Sequence, residues 1–358
     1  MIHHLRTLAL VLTALTHFGR PALAAVPPYT LVGQFNLPVG TSAFDITPDG
    51  RILALAQSQL FLQSAPNSSS WSLAGSLPSS AISSFGASFL RISPDFSTIA
   101  IGDGAFGPSS QVHFLSAASL NPSSTSPLTS ITTPNFQAHW RDDSRLLVTG
   151  SGSKGAVVTE VSLSGPALSQ RTLISDILGA SAGVTADYNF LYTANGFSFG
   201  AGSPTGEVRA FSLADLDSAS APLSFESQGI PVARALTGSS LGFDPLGNLL
   251  IGGGDAFTPG ADNGFAALIN ASDLASALLA GPIASPALSL FPPAPPSQPA
   301  NSYSPQFNPA TRELLLSFFD NTSFTPGLTV YRYALPAPGA ASLLLLAGLF
   351  AARRIRHA

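Results

Sequence analysis

Through the middle of this chain, apolar and polar positions alternate in short runs bounded by turn residues. No long stretch carries apolar side chains at the 3.6-residue spacing of an amphipathic helix; helical candidates such as 272–280 are short. One unit recurs instead: an apolar strand end, a turn rich in Pro, Asp, Asn or Gly, a strongly apolar strand, a Gly-rich loop and a further strand. The first copy runs from Phe44 through Pro48-Asp49-Gly50 to Ala56 and continues at 59–63. The second runs from Phe89 through Pro94-Asp95 to Ile101 and continues at 111–115, and later copies span 138–148, 183–193, 241–251 and 303–317. Proline presets φ in such turns and glycine tolerates positive φ, so each is built for a tight reversal.

The turns fall near residues 48, 94, 142, 187, 245 and 309, a period of about 45 to 60 residues. That spacing suits propeller blades, and a β-solenoid or paired β-sandwiches is the rival arrangement. A hairpin with one apolar face cannot bury it alone, whereas four-stranded sheets packed radially bury both faces against their neighbours. The fold class expected is therefore all-β, a β-propeller of about six blades. The strand at 29–37 precedes the first turn without a blade of its own and is free to join the last blade beside 328–333, clasping the ring. The Pro-rich stretch 281–299 has no strand pattern and reads as an extended excursion between the fifth and sixth blades. These repeats resemble β-propeller proteins of the broad surface-repeat kind over roughly residues 29 to 335.

The two ends have a different pattern. His3, His4 and Arg6 precede an apolar run from Leu8 to Leu15, followed by Ala22-Leu23-Ala24. A positive flank, a short apolar run and an A-x-A triplet make a secretory signal, with cleavage after Ala24. Near the other end, Pro336-Ala337-Pro338-Gly339 leads into an apolar stretch, 340–352, and then Arg353, Arg354 and Arg356. Thirteen residues of helix reach about 20 Å against a hydrocarbon core of about 30 Å, a marginal span, and the arginines would stay cytoplasmic. This order resembles the PEP-CTERM sorting signal of Gram-negative bacteria, with Ala337 where that family usually has Glu. A plain C-terminal membrane tail is the other reading. The resemblance implies processing by signal peptidase and an exosortase-like enzyme, and delivery to the cell surface, outer envelope or extracellular matrix with C-terminal membrane anchoring. The chain thus divides into a signal peptide (1–24), a propeller-like body (25–335) and a sorting or anchor segment (336–358).

Composition narrows the partners. Only 9% of the 358 residues are charged, while 45% are hydrophobic and 24 are Phe, enough apolar area to fold a body. The net charge of −4 hides an asymmetry: all 19 acidic residues lie between Asp45 and Asp320, and the whole body from 25 to 335 holds only ten basic ones, so it carries about −9. Such a surface repels phosphate backbones and makes nucleic acid an unsuitable partner. With no cysteine, a disulfide framework, a Cys-ligated zinc and a thiol nucleophile are all excluded.

Candidate chemistry is sparse. Loops after the second strand of several repeats carry an acid or amide near an aromatic, at Asp103, Asn195, Asp255 and Asp320. Equivalent propeller loops lie on one face, so these oxygens are candidate ligands for Ca²⁺, which takes six to eight oxygens. Equally, each side chain caps its own turn through backbone amides. His113 and His139 read as strand residues rather than bases, and Asp142 and Asp143, adjacent on a turn, point different ways. No G-x-S-x-G elbow with partners and no phosphate loop occurs. The expectation is an exported, non-enzymatic binding or structural protein whose partners are extracellular polysaccharide or other surface proteins. The alternative is a secreted propeller enzyme acting on polysaccharide as a lyase or glycosidase.

Overall fold

The computed structural model describes residues 29–335 except 106, 128, 153–154, 165–166, 180–181, 196–205, 236–237, 255–263, 281–288, 291–301, 321–324 and 327–328. The leader with Ala22 and Ala24, the sorting motif of Pro336, Pro338 and Gly339, and Arg353, Arg354 and Arg356 lie outside the described residues. Among the described residues, no helix is long and apolar enough to cross a membrane.

Six antiparallel sheets follow one another along the chain. Blade 1 is Thr41–Ile46, Ile52–Ala56, Gln59–Gln63 and Trp71–Ser76; blade 2 is Phe89–Ile92, Thr98–Gly102, Gln111–Ser116 and Thr129–Thr132. Blade 3 is Gln137–Asp142, Arg145–Gly152, Gly155–Ser162 and Ser169–Ile177, and blade 4 is Val184–Ala186, Phe190–Ala194, Gly206–Ser212 and Ile230–Ala235. Blade 5 is Gly238–Phe243, Leu249–Gly253, Phe265–Ile269 and Ser289–Leu290. Blade 6 is Ser302–Asn308, Glu313–Asp320 and Thr329–Ala334, completed on its outer edge by Thr30–Asn36. The six-bladed propeller and its N-terminal clasp are thus as the repeats foretold. The clasp pairs antiparallel from Thr30 opposite Ala334 to Asn36 opposite Thr329.

The second strand of each blade shows why the sequence needs a ring. Its side chains are buried on both faces, and alternate residues belong to different seams. Leu53 and Leu55 pack with Leu90, Ile99 and Ile101 of blade 2, while Ile52 and Ala54 pack with Phe35, Leu315 and Val330 of blade 6. The same division recurs at Ala100 against blade 3, Leu147 against blade 4, Tyr192 against blade 5 and Leu250 against blade 6. Six seams hold six hydrophobic clusters, so the apolar driving force is distributed around the axis and every blade needs both neighbours.

The turns joining first to second strands are held by their own side chains. Asp187 Oδ1 accepts from the amides of Asn189 and Phe190, both at 2.7 Å, and Asp244 Oδ1 accepts from Leu246 and Asn248 at 2.9 and 3.0 Å. Gly50 (φ 84°) and Gly247 (φ 78°) take the left-handed position of such turns. Asp142 Oδ1 likewise accepts from the Ser144 and Arg145 amides, both at 2.9 Å, and its Oδ2 also pairs with the Arg145 guanidinium at 2.6 Å, while Asp143 accepts from the Asp95 amide of the preceding blade; the two carboxylates do diverge.

Two features depart from the simple repeat. Ser289–Leu290 pairs with Ala267 and Leu268 inside the Pro-rich stretch read as strandless, and so completes blade 5. Helices Leu213–Ser218, Phe225–Gln228 and Ala271–Ala280 are inserted before outer strands. The last buries Leu274 and Ala277 against Val232 and Ala233 of blade 4. A short strand, Leu223–Ser224, runs parallel to the outer strand of blade 3 and gives it a fifth member.

Candidate functional site

When the six first strands are compared by register, one position recurs on the same face of every blade. It is Asp45 (opposite Leu53), Arg91 (opposite Ala100), His139 (opposite Leu147), Thr185 (opposite Tyr192), Gly242 (opposite Leu250) and Gln306 (opposite Leu315). Paired residues project from the same face of a sheet, and these six second-strand partners all pack into the seam with the following blade. The first-strand residues therefore point toward that seam at its inner edge, forming a collar close to the end of the channel where the first turns lie.

Three consecutive seams are bridged by these side chains. Asp45 Oδ2 accepts from the Ile92 amide of blade 2 at 2.7 Å. Arg91 Nε donates to the Ala138 carbonyl of blade 3 at 2.7 Å, and its Nη1 donates to the carbonyls of Leu90 at 2.8 Å and Phe44 at 3.5 Å. His139 shares a hydrogen bond with the Ala186 backbone of blade 4. Among the described residues, Thr185, Gly242 and Gln306 make no such bridge across the other three seams. Thr185 Oγ1 is buried with no hydrogen-bond partner, and so is Gln306 Oε1. At Gly242 a Cβ would meet only the Pro305 carbonyl, 3.9 Å away, so among the described residues there is open space beside it.

Burial sets the electrostatics of the bridged half. Removal from bulk water raises the Asp45 carboxyl above its ordinary 3.8, against the opposing pull of Arg91 and the Ile92 amide. Burial likewise lowers the Arg91 guanidinium, and Asp45 holds it up. His139 is pulled from 6.5 to about 4, first by burial and then by the Arg91 charge, with the Ala186 hydrogen bond opposing; it is a neutral imidazole at neutral pH. Asp45, Arg91, His139, Gly242 and Gln306 are all half-buried, while Thr185 is buried; the innermost strands of a propeller border its central channel.

On the opposite face, the loop residues read as calcium candidates are placed as follows. Both Asp103 oxygens accept from the protein, Oδ1 from Ala105 N at 3.0 Å and Asn135 Nδ2 at 3.2 Å, Oδ2 from Gln111 N at 2.8 Å. Asn195 Oδ1 accepts from Glu207 N at 2.7 Å. Asp255 and the side chain of Asp320 lie outside the described residues, so the proposed ring of four is seen only at two members. Among the described residues no group of three or more His, Asp or Glu side chains comes together as a metal site.

No protein-family model matches the chain, and no curated protein matches it. Among solved structures, a chain of a mitotic checkpoint complex is similar at 13% identity over 89% of this chain and 86% of its own, with a TM-score of 0.48. A luciferin-regenerating enzyme is similar at 12% identity over 86% of this chain and 95% of its own, with a TM-score of 0.46. A putative TolB from Agrobacterium tumefaciens is similar at 14% identity over 85% and 97%, with a TM-score of 0.48. The architecture rests on the sheets and seams themselves, and none of these proteins' activities carries over at such identities.

The collar went unremarked in the linear sequence because its members share a place and not a chemistry. Each lies just ahead of the turn that marks its repeat, so stacking the repeats on their turns brings Asp45, Arg91, His139, Thr185, Gly242 and Gln306 into one column. His139, read as a strand residue, is one, on Gln137–Asp142. His113 is another, half-buried on Gln111–Ser116 with Nδ1 2.7 Å from Ser130 Oγ.

Proposed function

We propose that this chain is an exported, non-enzymatic binding or structural protein of a Gram-negative envelope or extracellular matrix, carried outward by its leader and retained by its C-terminal segment. The supporting observation is where the body's two ends emerge. Tyr29 Oη donates to Asp244 Oδ2 at 2.7 Å, and Leu335 N donates to the Arg312 carbonyl at 3.4 Å. Both partners belong to turns between first and second strands, so both ends leave from one face. A tail embedded in a membrane would hold that face toward the lipid and present the opposite face, with the Asp103 and Asn195 loops, to extracellular polysaccharide or other surface proteins.

The polysaccharide-cleaving alternative finds less support. Among the described residues of the collar Asp45 is the one carboxylate, whereas the usual glycosidase uses two. One oxygen of Asp45, Nε and Nη1 of Arg91 and one hydrogen bond of His139 are also committed to neighbouring backbone, which leaves these groups with binding capacity but no free pair of carboxylates. The test is fractionation and protease shaving of cells expressing the full chain and a chain lacking 336–358. Surface-exposed, membrane-associated full-length protein and release of the shortened chain are expected. A full-length chain that stays in the cytoplasm would overturn the proposal.

A further inference from the structure

The collar is chemically lopsided, and its open half adjoins its polar half. On one side Asp45, Arg91 and His139 present a carboxylate, a guanidinium and a neutral imidazole to the lumen, each half-buried and tied to the next blade by one or more hydrogen bonds. On the other side Gly242 supplies no side chain and leaves open space. Next to it Thr185, only 1% exposed, keeps a hydroxyl without a partner. A buried hydroxyl without a partner costs roughly 1–3 kcal/mol, so a site that retains one has something to gain from a polar occupant.

From this juxtaposition we propose that the axial collar is a binding site for a neutral polyhydroxyl ligand of the sugar class, seated against Gly242. One carboxylate balances one guanidinium, so the wall carries no excess charge to select an ion. Its groups both accept and donate: Asp45 accepts a hydrogen bond from a hydroxyl, Arg91 donates one, and imidazole and carboxamide do either. A hydroxyl also does both, and a molecule with several adjacent hydroxyls matches this mixture. An apolar occupant would strip water from Asp45 and Arg91 with no compensating bonds. The source is either a free sugar or the end unit of a polysaccharide chain; the proposal deepens the surface-binding reading and rests on it for a supply of such chains.

Calorimetric titration of the full chain in mild detergent with D-glucose, D-galactose, D-mannose and D-xylose, with trisaccharides of each, and with D-glucuronate tests this. Saturable binding of one or more neutral probes is expected. Tighter binding of the trisaccharide assigns the site to chain ends, and equal binding assigns it to free sugar. Gly242→Leu fills the open space without strain and is expected to weaken binding by about tenfold or more while leaving the melting temperature unchanged. Thr185→Val is expected to weaken binding and leave the fold intact or stabilised, because it removes an unpartnered hydroxyl. Failure of every neutral probe to bind, binding confined to glucuronate, or undiminished affinity in Gly242→Leu would overturn the proposal. None of these results bears on where the protein is located, so this idea and the surface reading fail separately.

Discussion

Acidification is expected to loosen the propeller at its axis before the general protonation of carboxylates does so. In the folded protein His139 titrates at about 4, against 6.5 for an unburdened imidazole. Between those two values the unfolded chain binds a proton that the folded chain refuses, so folding stability rises with pH across the window and is lost as pH falls from 6.5 toward 4. At about 1.36 kcal/mol per pH unit the gap amounts to roughly 3 kcal/mol, an upper figure because the half-buried ring retains some solvent. Asp45 works in the opposite sense: its raised carboxyl takes up a proton while the unfolded one is still ionised, which returns part of the loss just above 3.8. Carboxylates held low by their partners, such as Asp217 beside Arg141 and Glu313 beside Arg332, lose their contributions only at and below their ordinary values of 3.8 and 4.5. The assay is urea unfolding at intervals from neutral pH to the mid-fours, for the wild type and for His139→Gln, which keeps a donor for Ala186 and removes the titration. The wild type should lose stability steeply through this range and the variant only shallowly. Parallel curves for the two proteins would refute the assignment of the penalty to His139.

Four other outcomes follow from the packing. Phe35→Ala, which empties a nearly buried ring (3% exposed) from the seam between the clasp and blade 1, should cost roughly 3–5 kcal/mol by denaturant titration. Glu160→Ala leaves Arg141, 2.9 Å away and nearly buried, with Asp217 as its remaining carboxylate; a loss of about 3 kcal/mol in the same assay is expected, and restoration by Arg141→Met in the same chain would show that the stranded charge is the cause. Gly104→Ala would set a Cβ 1.9 Å from the Gly86 carbonyl at φ +69°, so a fall in melting temperature equivalent to roughly 2 kcal/mol or more is expected. Calcium should leave the melting temperature unmoved, since both Asp103 oxygens are already occupied by donors; a saturable heat of binding would show that these loops do share an ion.

How far the fold was legible depended on how local its cause was. The turns announce themselves because Pro48-Asp49-Gly50 and Pro245-Leu246-Gly247 encode a reversal in adjacent residues, and Gly50 and Gly247 have the positive φ that such turns require. The clasp was legible from an imbalance, a strand ahead of the first turn with no blade of its own. Ser289–Leu290 was not, because its place is set by pairing with Ala267 and Leu268 and not by its Pro-rich surroundings. Leu223–Ser224 was hidden for the same reason: two residues carry no periodicity, and a tertiary contact with the outer strand of blade 3 makes them a strand. The axial collar sits between these cases. Its register follows from the repeat, but a carboxylate, a guanidinium, an imidazole and a glycine form no recognisable string until the blades are superposed.

The clasp has a consequence for how such a chain reaches its final form. The partners in the closing pair, such as Asn36 and Thr329, are 293 positions apart, and the ribosome delivers Thr30–Asn36 long before its neighbour exists. Until Thr329–Ala334 arrives, the early strand has an unmet hydrogen-bonding edge, and the face of blade 1 that carries Ile52 and Ala54 lacks Leu315 and Val330. The entropy of closing so long a loop grows only slowly with its length, so waiting carries a risk of wrong pairing more than an energetic penalty. A prematurely terminated chain would be left with both edges open, and every intermediate length is a candidate for pairing with another copy of itself.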